Sequence, residues 1–118
     1  MVIGIGTDIV EVSRFENASP KFMAKIFTPS EINYLSKKNL ESIAGLFAAK
    51  EAVAKCLGVG FGKISPREIE ICHDKKNAPF VKLHDGALKF ALQLKISDIK
   101  ISISHEKKYA IAFALAQN

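Results

Sequence analysis

The stretch GLFAAKEAVAKCLGVG, from Gly45 to Gly60, limits the possible folds more than any other part of the chain. Its pattern predicts a helix from about Leu40 to Leu57, closed by Gly58, whose missing side chain suits the left-handed position that ends a helix. Ala44, Ala48, Glu51 and Lys55 lie three, four or seven residues apart and therefore share one face. Alanines on that face allow close approach to another backbone, so the helix is expected to be partly buried.

The rest of the chain supplies partners for it. MVIGIGTDIVEV sets Ile3 and Ile5 between glycines and reads as a strand that ends in a polar turn near Thr7 and Asp8. From Val12 to Phe27 the apolar spacing is that of a short helix interrupted at Ser19-Pro20. In TPSEINYL, Thr28 can cap a helix, Pro29 fits its first position and Glu31 completes a capping box. EIEIC and PFVKL read as strands paired across a turn from His73 to Pro79, and Asp85 is placed to cap GALKFALQLK. IKISISH and YAIAFALA form a last pair around Glu106-Lys107-Lys108. Strands that come mostly in hairpins predict an α+β fold, a mostly antiparallel sheet packed by helices, over a single domain spanning 1–118.

Composition agrees with one globular unit: 118 residues, 48% hydrophobic and 25% charged, with no linker or repeat. No apolar run approaches the roughly 18 to 20 residues of a membrane span, and the start lacks the layout of a signal peptide, so a cytoplasmic location is expected. Cys56 and Cys72 lack C-x-x-C spacing and read as buried thiols in a reducing compartment. The net charge of +5 points to a polyanionic partner.

The candidate chemistry centres on the long helix. Glu51 and Lys55 can be a surface pair at i,i+4, worth about 0.3 to 0.5 kcal/mol. The alanine flank, the second cation Lys50 and the glycines Gly58, Gly60 and Gly62 favour instead a place that holds phosphates. Gly4-Ile5-Gly6 is not a dinucleotide fingerprint, because Ile9 stands at the third glycine position and no parallel βαβ unit follows. The run from Gly58 to Lys63 follows a helix, not a strand, so it is no phosphate loop of the P-loop kind. Asp8 reads as a turn residue bonding its own backbone or, paired with Glu51, as one of two carboxylates on a magnesium ion. His105, in phase with Ile99, Ile101 and Ile103, reads as an inward-facing histidine, and Ser104 as a strand-edge hydroxyl. The competing class is a small basic nucleic-acid-binding domain, carried by net charge alone, since no RNA-reading motif or aromatic-basic stripe is present.

Four segments in order, GIGTDIVEVSRF, FTPSEI, FAAKEAVAKCLGVG and ISISHEKKYAIAFAL, resemble the bacterial holo-[acyl-carrier-protein] synthases, the small 4'-phosphopantetheinyl transferases. The resemblance spans nearly the whole chain and implies that family's fold. It also implies magnesium-dependent transfer of the 4'-phosphopantetheine arm of coenzyme A to a serine of apo acyl carrier protein, with release of adenosine 3',5'-bisphosphate. The implied assembly is a homotrimer with active sites between subunits, and the implied partners include neither nucleic acid nor membrane. By motif, Asp8 and Glu51 match the magnesium ligands, and Lys55 matches the lysine near the pyrophosphate and the reacting serine. Lys50, Lys55, Gly58, Ser104 and His105 match coenzyme A contacts. Arg14 matches a basic residue on the first helix that meets the acidic carrier, and Lys21 and Lys25 extend that surface. The pattern is broken at Leu46, where many members carry an arginine that helps bind the nucleotide phosphates, and at Ser65-Pro66-Arg67 and Asn77-Ala78-Pro79 on the adenine side.

Overall fold

The computed structural model describes residues 1–118. In chain order it runs β1 (Val2–Glu11), a 3-10 turn (Val12–Phe15), α1 (Pro20–Ile26), α2 (Pro29–Leu35), α3 (Leu40–Cys56) and a second 3-10 turn (Pro66–Glu68). It continues with β2 (Ile69–His73), β3 (Pro79–Leu83), α4 (Asp85–Gln93), β4 (Asp98–His105) and β5 (Tyr109–Gln117). β1, β5 and β4 form an antiparallel sheet in that spatial order, and β2 and β3 form a separate antiparallel hairpin. The α+β fold and both expected strand pairings are therefore present.

α3 lies against β1, β5, β4 and β2 and organises the core. The contact is built from small residues on both sides. Ala110, Ala112, Ala114 and Ala116 of β5 are at most 1% exposed, and Ala44, Ala48, Ala49 and Ala52 of α3 are fully buried. A side chain at Gly4 or Gly6 of β1 would overlap backbone carbonyls of α3, at Cys56 and Ala52 respectively. The two glycines thus permit close strand-to-helix contact. Gly58 takes a φ of +73° after the last turn of α3, as its position predicts.

Local signals set the helix starts. Thr28 Oγ1 accepts from Glu31 N at 3.3 Å, and Glu31 Oε1 accepts from Thr28 N at 2.8 Å, completing the predicted capping box. Asn39 Oδ1 caps α3 by accepting from Ser42 N at 3.1 Å.

Three expectations need correction. β1 does not turn at Thr7 and Asp8; Asp8 lies mid-strand opposite Ala112, because the pairing with β5 continues to Glu11 opposite Tyr109. The segment from Val12 to Phe27 is interrupted at Ser19-Pro20 as expected, where Ser19 accepts from Phe22 N and Pro20 opens α1, but the part before the break is only a 3-10 turn. Asp85 does not cap α4: it is the first helical residue at φ +48°, and Glu68 Oε1 accepts from Ala87 N at 3.0 Å instead. That carboxylate arrives from a turn 19 residues before Ala87, which no local pattern announces.

Candidate active site

Strand alternation places Asp8 on the face of β1 turned toward α3, in phase with the buried Gly6 and Val10. Glu51 and Lys55 project from α3 beside it. Lys55 Nζ donates to the Thr7 carbonyl at 2.8 Å and stands 3.6 Å from Asp8 Oδ1. β1 is an edge strand, so a carbonyl on its free side is open to this donor. Asp8 is mostly shielded, with an 18% exposed side chain, while Lys55 is 55% exposed.

The two carboxylates are held in an unfavourable state. Burial pushes the Asp8 carboxyl above its ordinary value, outweighing the pull of Lys55 and Arg14. Glu51 is pushed up as well, by burial first and by the negative charge of Asp8 second, again against Lys55 and Arg14. Arg14 therefore belongs to this electrostatic neighbourhood. It sits on the 3-10 turn ahead of α1, not on the first helix, and its guanidinium lies over the Phe47 ring at 4.8 Å. The structure thus joins Asp8, Glu51, Lys55 and Arg14, residues that lie up to 47 positions apart in the chain.

Lys50 is different. Its side chain is fully buried, with Nζ 2.7 Å from Glu31 Oε1, 2.6 Å from the Ile69 carbonyl and 2.9 Å from the Pro66 carbonyl. An ammonium has three protons, and all three have partners here. Lys50 therefore ties α3 to α2 and β2, an arrangement that leaves no free donor for the coenzyme A contact expected of it. Glu31 completes the tie by accepting from Ile71 N through Oε2 at 2.8 Å. Sequence reading found Glu31 as a cap and missed it as the counter-ion of Lys50.

Ser104 and His105 end β4, two strands away from Asp8, with β5 between. Both are exposed: His105 keeps the α3-facing phase of Ile103, with its ring near Gly45, but it is not enclosed. With Ile9, Glu106, Tyr109 and Ile111 they line a hollow of about 190 Å³. Gly58 lies at the end of α3 beyond Lys55, and Lys21 and Lys25 are exposed on α1. Leu46, the departure from the family pattern, is 3% exposed and part of the core. A larger groove of about 390 Å³ lies between β3, α4 and β4 and contains none of the expected site residues.

The chain thus presents an α3-on-sheet core with an acidic pair and a lysine along the β1–α3 seam. Residues 4–114 match the family model described as the 4'-phosphopantetheinyl transferase superfamily. The chain is 47% identical over 121 residues to a holo-[acyl-carrier-protein] synthase of Thermoanaerobacter sp. (strain X514), covering 98% of this chain and 88% of the relative. The crystal structure of holo-[acyl-carrier-protein] synthase from Neisseria meningitidis superposes with a TM-score of 0.88 at 36% identity over 100% of both chains. The Helicobacter pylori holo-[acyl-carrier-protein] synthase solved in complex with coenzyme A gives a TM-score of 0.84 at 36% identity, covering 96% of this chain and 99% of that one. The chain belongs to the holo-[acyl-carrier-protein] synthase family of phosphopantetheinyl transferases.

Proposed function

We propose that this enzyme transfers 4'-phosphopantetheine from coenzyme A to a serine of apo acyl carrier protein in the cytoplasm, using magnesium and releasing adenosine 3',5'-bisphosphate. The observation that carries the reading is the pairing of Asp8 and Glu51, two carboxylates raised by burial and, for Glu51, also by the charge of Asp8, with the exposed cation Lys55 beside them. No third His, Cys, Asp or Glu joins them. Magnesium takes one or two carboxylates and fills its remaining positions with water and substrate phosphates, so this donor set fits it. When bound, the ion supplies charge neutralisation on the pyrophosphate.

In the reaction the serine oxygen bonds to the phosphorus that bears the pantetheine arm. The bond from that phosphorus to the bisphosphate leaving group breaks, and the serine proton departs. Lys55 is placed to neutralise charge that builds on the leaving phosphate, the main protein contribution in phosphoryl-type transfer. The same ammonium can deliver a proton to that phosphate or, when neutral, assist removal of the serine proton. Arg14, Lys21 and Lys25 form the basic side that meets the acidic carrier.

A homotrimer with shared sites is part of this reading. The sheet face turned away from α3 exposes Ile5, Ile9, Tyr109, Ile111 and Phe113, each at least 44% accessible. Such an apolar face is characteristic of contact between subunits. Ser104 and His105 border it together with Ile9 and Ile111, a position from which they serve a neighbouring copy's coenzyme A. Support for a reducing compartment comes from the two free cysteines, with burial pushing the Cys56 thiol up to about 11. No helix is long and apolar enough to cross a membrane.

Titration calorimetry with coenzyme A, with and without magnesium, tests the reading against the nucleic-acid alternative. Metal-dependent binding of coenzyme A is expected. Salt-sensitive oligonucleotide binding without coenzyme A affinity would favour the alternative.

A further inference from the structure

We propose that Gly6 is a positioning residue for the metal centre: by letting β1 touch the backbone of α3 at Ala52, it sets the separation of the Asp8 and Glu51 carboxylates. The inference rests on the magnesium reading above.

Gly6 is buried two residues before Asp8 and on the same face of β1. A Cβ built there overlaps the Ala52 carbonyl oxygen and comes 2.9 Å from Lys55 Cβ. The obstacle is helix backbone, with no flexible chain end to swing aside, so a methyl group must push the strand off the helix. Gly6 keeps a φ outside the left-handed region, and the demand is therefore for space, not for backbone freedom. Ala52 directly follows Glu51, and Lys55 lies one turn further on. The contact thus sits among the residues whose relative placement matters, with Asp8 on one side and Glu51 and Lys55 on the other.

Gly4 provides a matched comparison. A Cβ there overlaps the Cys56 carbonyl oxygen, one turn further along α3 and farther from the carboxylates. Both glycines serve packing, but only Gly6 stands beside the acidic pair. The spacing is consequential because magnesium demands near-octahedral ligands at about 2.0 to 2.1 Å.

The test is direct titration of the folded protein with Mn²⁺, followed by electron paramagnetic resonance, alongside thermal melting. Gly6→Ala is expected to weaken Mn²⁺ affinity about 10-fold or more, and Gly4→Ala by less than about 2-fold at a comparable loss of Tm, because misplacement of about 1 Å is costly in a built site. Adding Asp8→Glu to Gly6→Ala is expected to recover part of the affinity, since one more methylene spans the widened gap, whereas Asp8→Glu alone weakens binding. Equal losses in the two glycine variants, or unchanged affinity in Gly6→Ala, would overturn the positioning role. If Gly6→Ala melts below the working temperature, the titration is repeated in the cold with a stabilising osmolyte that refolds it; weakened Mn²⁺ binding is expected, and unchanged binding counts against the role. Asp8→Ala separates the two failures. If it binds Mn²⁺ like wild type, the metal reading fails and the positioning role falls with it. Loss of binding in Asp8→Ala with none in Gly6→Ala overturns the positioning role alone.

Discussion

Lys50 Nζ lies 2.7 Å from Glu31 Oε1, with both side chains fully excluded from solvent, one residue before Glu51 on the same helix. Successive helical residues point about 100° apart, so the inward anchoring of Lys50 fixes the rotation of α3 and leaves Glu51 toward β1. The pair is thus a structural hub beside the candidate site, with every proton of the Lys50 ammonium already partnered.

Lys50→Met is accordingly expected to leave Glu31 as an uncompensated buried charge and to destabilise the protein by about 3 to 5 kcal/mol. Urea unfolding measures it. Combining Lys50→Met with Glu31→Gln should recover much of that loss, as buried pairs replaced together usually do. A Lys50→Met protein of normal stability that binds coenzyme A weakly would return Lys50 to the nucleotide site.

The carboxylate shifts give a pH dependence with a definite sign. Asp8 and Glu51 have raised values in the folded state, so the native protein takes up protons more readily than the unfolded chain. Their unfavourable contribution to the metal-free protein is absent below the ordinary values of 3.8 and 4.5, and grows as pH rises through the raised ones. Asp8→Asn should therefore raise the Tm of metal-free protein at pH 7 and have no such effect below about pH 4. The same variant should abolish stabilisation by magnesium. A lowered Tm for Asp8→Asn at pH 7 would contradict the strained-pair account.

Carrier steering and site electrostatics separate by residue. Lys21 and Lys25 are exposed on α1, whereas the Arg14 charge also reaches Asp8 and Glu51. Charge reversal at Lys21 and Lys25 is expected to raise the carrier KM several-fold at low salt and leave the coenzyme A KM unchanged, the difference shrinking as salt rises. Arg14→Glu should alter both constants, because a carboxylate there adds to the repulsion at the acidic pair. Steady-state kinetics at two ionic strengths decides the point.

The apolar sheet face carries the assembly prediction. Ile9 is 63% exposed and Ile111 46% exposed, opposite each other on β1 and β5. Ile9→Lys with Ile111→Lys should convert a trimer to monomers by light scattering, with loss of transfer activity. A fully active monomer would contradict the shared site.

Much of this was legible in the sequence wherever the signal is local. The Thr28 and Glu31 capping box, the left-handed Gly58 and the two hairpins each depend on neighbours a few residues away. The misreadings share a different origin. Asp8 looked like a turn residue because only pairing with β5, about a hundred positions later, keeps β1 extended through it. Lys50 looked like a phosphate ligand because its partners, Glu31, Pro66 and Ile69, come from segments on either side of α3 in the chain. The family resemblance implies roles for Asp8, Glu51 and Lys55; spacing alone could not show that the residues meet, since Asp8 comes from a strand and the other two from a helix far along the chain.

The most direct measurement is intact-mass spectrometry of apo acyl carrier protein incubated with coenzyme A, magnesium and this enzyme. The account expects the carrier to gain one phosphopantetheine on a serine, with adenosine 3',5'-bisphosphate released in equal amount. Omitting magnesium, or using Asp8→Ala or Glu51→Gln, should lower the rate by about 100-fold or more. A carrier that stays unmodified, or one modified as fast by both variants at limiting magnesium, would contradict it.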